Sequence, residues 1–119
     1  MHRSELIRRM VLNAICDDYE NVDQVILSDV AGDGAKLGLT IVRSEIVDAL
    51  AGLVADGLAK AYLLSSREPC STELQGMPSL DVAEENFATY FYITKKGMEL
   101  HLSDDTWWPF DDDGVSGSV

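Results

Sequence analysis

Two histidines, two cysteines and a few glycine–aspartate stretches are the parts of this 119-residue chain whose types and spacing suggest chemistry. Acid–base or nucleophilic catalysis needs such a group held beside a base. His2 opens the chain and His101 stands near its far end. Neither has a Ser, Cys or carboxylate at a recognisable nucleophile spacing, so no catalytic residue is assigned. "GDGAKL" (32–37) has the flavour of a phosphate loop, but that loop needs Ser or Thr after Gly-Lys, and here Leu37 follows Lys36. Counted as a calcium loop from Asp29, the chain offers Ala31, Asp33 and Gly34 at the third, fifth and sixth places, with Thr40 where a bidentate Glu belongs. The tail "DDDG" read back from Gly114 puts Pro109 where the first ligand belongs. Cys16, Cys70, His2 and His101 lack zinc-ligand spacing. The expectation is a protein that is not an enzyme, with no metal and no cofactor.

Composition narrows the classes further. There is no Cys-x-x-Cys pair, so Cys16 and Cys70 read as free thiols in a reducing cytoplasm, with a disulfide between them as the less favoured alternative. "MHRSELIRRMVLNAICDDYE" carries charges among its apolar residues and no small-residue cleavage site, which makes it an amphipathic helix and not a signal peptide. No apolar run approaches a membrane span, and no membrane partner is expected. Twenty-one acidic against nine basic residues leave a net charge of −12. Such a chain repels polyanions, which disfavours nucleic acid as a partner of the whole molecule.

Residue patterning then gives the elements that must position whatever site there is. Ser4 reads as the cap of a first helix with Leu6, Ile7, Met10, Val11, Ala14 and Ile15 on one stripe. "VDQVILSDVAGDGAKL" is ambiguous. Asn21 and Gln24 have capping-box spacing for a helix from Val22, yet "QVIL" also suits a short strand, and Gly32 and Gly34 weaken a helix there. The third segment is clearest: Ile46, Leu50, Leu53 and Val54 hold one helical face, and Gly57 supplies a left-handed stop with Leu58 folding back. "AKAYLLS" and "FATYFYI" read as strands, separated by a long Pro- and Gly-containing stretch that is either a mobile excursion or holds a short helix near "LDVAEENF". Thr94 marks an abrupt passage into a last helix, its hydroxyl placed to accept from an orphan N–H.

This order of elements, with Ile46, Leu50, Leu53, Gly57 and Leu58 and with "YFYITKKGMEL", resembles the third helix and the strand-to-helix junction of winged helix-turn-helix domains in bacterial transcription regulators of the MarR and PadR type. The resemblance implies an α+β winged helix over residues 1–102, with a three-helix core, a two-stranded β wing whose long loop covers 65–87, and a C-terminal helix. Residues 103–119 follow as an acidic aromatic tail. It also implies double-stranded DNA as partner, read by the exposed face of the third helix, and a homodimer with the first and last helices as its surfaces. Carried over by position, Thr40, Arg43 and Ser44 address the groove, while Lys36, Lys60 and Arg67 touch phosphates.

The alternative is a protein-interaction or dimerisation module on the same fold. Glu45 and Asp48 on the third helix meet phosphate repulsion, and the small residues Ala51, Gly52 and Ala55 let another backbone approach. In the tail, five aspartates flank Trp107, Trp108 and Phe110. These aromatics either anchor a protein partner, pack back onto the first helix, or bring the acidic tail over the third helix as a competitor of DNA.

Overall fold

The computed structural model describes residues 2–64, 70–80 and 88–103. Helix α1 (Arg3–Ala14) is followed by a π turn (Val22–Ile26) running into α2 (Leu27–Lys36), then α3 (Arg43–Ala55), strands β1 (Ala59–Leu64), β2 (Ser71–Glu73) and β3 (Thr89–Ile93), and α4 (Lys95–Ser103). The sheet is antiparallel in the order β2-β1-β3, with Tyr62 opposite Glu73 on one side and Ala61 opposite Phe91 on the other. The chain is thus α+β, four helices and a three-stranded sheet among the described residues.

The first helix buries its stripe. Ile7, Met10, Val11, Leu12 and Ile15 are all at most 2 % exposed, and they pack with Ile46, Leu50 and Leu53 of α3 and with Phe91 and Ile93 of β3 in one core. Of that stripe only Leu6 and Ala14 are left half-buried, so little of it remains as the apolar dimer surface its sequence suggests. The helix begins one residue before the expected cap: His2 is the N-cap, without a side-chain bond, and Ser4 lies in the first turn.

Asn21 decides the ambiguous second segment in favour of a helix from Val22. Its side-chain oxygen accepts from the N–H groups of Asp23 and Gln24, at 3.0 and 3.2 Å, satisfying two donors that would otherwise be orphaned. The Asn21 carbonyl accepts from both Val25 and Ile26, which widens the first turn into the π form. Strand character is confined to Glu20, whose N–H and C=O exchange bonds with Phe91 at 3.0 and 2.9 Å. α2 runs through Gly34, where a Cβ would collide with the Ile41 side chain, so the glycine lets the α2–α3 connection close against the helix.

The expected two-stranded wing has three strands. Residues 71–73, inside the stretch read as loop, pair with β1. Leu74 N–H donates to the Ala61 carbonyl at 2.9 Å, and Glu73 reaches Lys60 at 2.7 Å, so a short, fully exposed strand is held by backbone bonds and one ion pair. The helix considered near "LDVAEENF" falls mostly on residues 81–87, outside the described residues.

At the β3–α4 junction Thr94 accepts from Gly97 N–H at 3.0 Å, as its position suggested, and its hydroxyl donates to the Gly57 carbonyl at 2.6 Å. Gly57 ends α3 with φ +73°. On α4 the buried position is Gly97, while Leu102, which shares helical spacing with Met98, is 75 % exposed.

Candidate nucleic-acid interface

The outward face of α3 follows from what its other faces touch. Ile46, Ala49, Leu50 and Leu53 point into the core. The flank of Glu45, Gly52 and Asp56 turns to α1. There Arg3 holds the Glu45 carboxylate through Nε at 2.9 Å and Nη2 at 3.1 Å, and Arg8 pairs with Asp56. The Arg8 guanidinium lies 3.6 Å from where a Gly52 side chain would begin, an ordinary packing distance, so Gly52 faces α1 and is not part of an outward small-residue surface. Between α1 and α3 runs a cleft of about 410 Å³, with Ile7 and Ala49 in its floor and Arg3, Arg8, Glu45 and Asp48 at its edges. Left facing outward at i, i+4, i+7 and i+11 are Ser44, Asp48, Ala51 and Ala55, of which only Ala51 is half-buried.

The residues expected at a DNA groove sit around the start of this helix. Thr40 is exposed on the α2–α3 connection, and its carbonyl accepts from Arg3 Nη2. Ser44 is exposed on the outward face. Arg43 is on the opposite flank from α1. Its guanidinium makes two bonds to Asp23, 2.8 and 3.3 Å, and a third to the Leu80 carbonyl at 3.3 Å. A guanidinium forked onto a carboxylate is satisfied in the same geometry it would use on a guanine edge or a phosphate, so Arg43 would have to break that pair to read DNA.

The expected phosphate contacts are dispersed. Lys36 closes the last turn of α2, where a cation complements the helix dipole. Lys60 lies on β1 in its ion pair with Glu73, which raises the lysine pKa above its ordinary value. Of the expected residues, Thr40, Arg43 and Ser44 stand at the start of α3 as sequence neighbours, while Lys36 and Lys60 lie on α2 and β1. Arg67, and the tail aromatics Trp107, Trp108 and Phe110, lie outside the described residues.

Electrostatics around α3 favour internal pairing. Bonds from Arg3, and then from the Val42 N–H, hold the Glu45 carboxyl below its usual range. Val42 has no side-chain acceptor, so this capping arrangement is one-sided: Glu45 reaches back to the Val42 N–H at 3.2 Å, and the Val42 carbonyl accepts from Glu45 N–H. Burial, and secondarily Asp17, push the Cys16 thiol up, which keeps it protonated and a poor nucleophile. Both cysteines are free thiols.

Sequence reading missed Asp23 as the partner of Arg43 and missed the two α1 arginines as clamps on α3. No local pattern announces them, because the pairs are 20, 42 and 48 residues apart. Among the described residues no helix is long and apolar enough to cross a membrane. The chain matches no protein-family model, no curated protein and no solved structure at a significant level.

Proposed function

We propose that this chain is a small, non-catalytic winged-helix module that acts by binding another protein, with the outward face of α3 as its contact surface. One observation carries this reading. The arginines flanking α3 (Arg3, Arg8 and Arg43) are each engaged with a carboxylate of the same chain, and the outward face keeps one serine, one aspartate and two alanines. A duplex is held through several Lys and Arg contacts to phosphate, each releasing counterions. This face supplies none, and Asp48 opposes them. Small side chains at i+7 and i+11 suit the close approach of a second protein element, and the adjoining α1–α3 cleft extends the surface.

The order of helices followed by an antiparallel sheet supports the winged-helix assignment, and the regulator resemblance makes DNA binding the competing reading. Fluorescence anisotropy with a random duplex at low salt separates the two. The expected result is no binding by the full chain, nor by one ending at Leu102. Binding that weakens steeply with salt would overturn the protein-interaction reading and return Thr40, Arg43 and Ser44 to the groove. In that case Arg43→Ala should cost about 1–3 kcal/mol of DNA affinity.

A further inference from the structure

All four tyrosines of the chain belong to one side of the sheet or its edge. β1 and β3 set Tyr62 opposite Tyr90 and Lys60 opposite Tyr92. Strand alternation places these four side chains on the face away from Ala61, Phe91 and Ile93, which belong to the core with α1, α2 and α3. The bridge between Glu20 and Phe91 then brings Tyr19 alongside β3. Its ring stacks on Tyr92 with centroids 4.9 Å apart at 29°, and meets Tyr62 edge-on at 5.1 Å and 87°. Tyr19 is 36 % exposed, and Tyr62, Tyr90 and Tyr92 are half-buried. Asp17 and Asp18, both exposed, precede Tyr19 in sequence, while Glu73, opposite Tyr62 in the ladder, is already held by Lys60 at 2.7 Å. Glu20, set opposite Phe91 by the same bridge, lies on the other face.

We propose that this tyrosine face docks a protein segment bearing arginine side chains, a second surface distinct from the α3 face. Electron-rich ring faces attract cations placed within about 6 Å, and the planar guanidinium stacks on them better than an ammonium. The exposed carboxylates of Asp17 and Asp18 complete the charge match. The same charges disfavour other occupants. The chain's own tail flanks its aromatics with five aspartates, a second copy would oppose acid to acid, and an oligonucleotide would bring phosphates.

The test titrates the ¹⁵N-labelled full chain with an end-blocked octapeptide of alternating arginine and glycine, then with its lysine counterpart, then with a thymidine octanucleotide. Amide shifts should centre on Tyr19, Tyr62, Tyr90 and Tyr92, with the arginine peptide binding several-fold more tightly than the lysine one. Tyr62→Leu and Tyr92→Leu keep apolar bulk but remove the ring faces, and each should weaken binding tenfold or more, while Glu99→Gln on α4 leaves it unchanged. Because the leucine variants also remove ring packing, the double variant Asp17→Asn, Asp18→Asn gives an independent reading with every ring in place, and should weaken binding several-fold. No binding, shifts confined to residues 104–119, indifference to both sets of variants, or preference for the oligonucleotide would each overturn the proposal. None of these outcomes bears on the α3 face.

Discussion

Asn21 is wholly buried and bonds in two directions. Its oxygen caps the π turn, and its Nδ2 donates to the Thr89 carbonyl at 2.9 Å, so one side chain fixes the helical segment to the sheet. Removing a cap and a buried donor together should cost about 2–4 kcal/mol in Asn21→Ala, read as a lower urea midpoint. Asn21→Asp preserves the cap but loses the donor and buries an acid. Its stability should fall further as pH rises from 4 to 7, because a buried carboxyl holds its proton and ionising it is unfavourable. Neighbouring Glu20 shows the same sign natively. Its folded pKa is raised, by burial first and then by nearby acids, so the folded form is favoured while the proton stays on and loses that contribution as pH rises through the carboxyl range. Glu20→Gln is therefore expected to be more stable than the parent at pH 7 and equal to it near pH 4, a difference that urea titrations at the two pH values measure.

The α3–β1 turn and α4 meet so closely that two glycines with similar sequence settings have opposite meanings. At Gly97 a Cβ would collide with the Leu58 carbonyl and stand 2.8 Å from Ile93 Cγ1, both fixed by the junction that Thr94 closes. At Gly32, on the exposed side of α2, a Cβ meets nothing within 4 Å. Gly97→Ala should destabilise by about 1–3 kcal/mol through overpacking. Gly32→Ala should stabilise by about 0.5–1 kcal/mol through helix propensity and a less free unfolded chain. Equal effects of the two in urea unfolding would mean that α4 does not press on the Leu58 carbonyl. Local patterns showed the cap at Asn21, the stop at Gly57 and the hydroxyl of Thr94, because each acts within a few residues of itself. They did not show Gly97 against Leu58, β2 against β1, or Arg43 on Asp23. Those depend on partners brought together only by the completed fold, and in β2 the three residues are too few and too polar for a strand pattern. Thr40, Arg43 and Ser44 are neighbours in the sequence at the start of α3, but the engagement of Arg43 with Asp23 was not legible there.

At the scale of the whole molecule two electrostatic effects oppose each other, and their magnitudes decide how stability responds to salt. Four ion pairs join described residues: Arg3–Glu45, Arg8–Asp56, Arg43–Asp23 and Lys60–Glu73. Their side chains are 31–55 % exposed, and such pairs contribute about 0–1 kcal/mol each, so screening them loses little. Against this stands the mutual repulsion of a chain with net charge −12, which acts between many carboxylates at once and is greater in the compact state than in the expanded one. The Debye length falls from about 30 Å at 0.01 M salt to about 8 Å at 0.15 M, a change that removes the long-range repulsion while contact pairs at 2.5–2.9 Å are screened far less. The thermal midpoint of the full chain should therefore rise by several degrees between 0.01 and 0.15 M sodium chloride, most of it below 0.1 M. Arg43→Gln, which deletes one cation and its pair, should lower the midpoint at low salt and lie closer to the parent at 0.15 M. A midpoint that falls on adding salt would mean that the clamps of α1 and the π turn on α3 outweigh the repulsion, and that α3 owes its placement to those pairs more than to its apolar face.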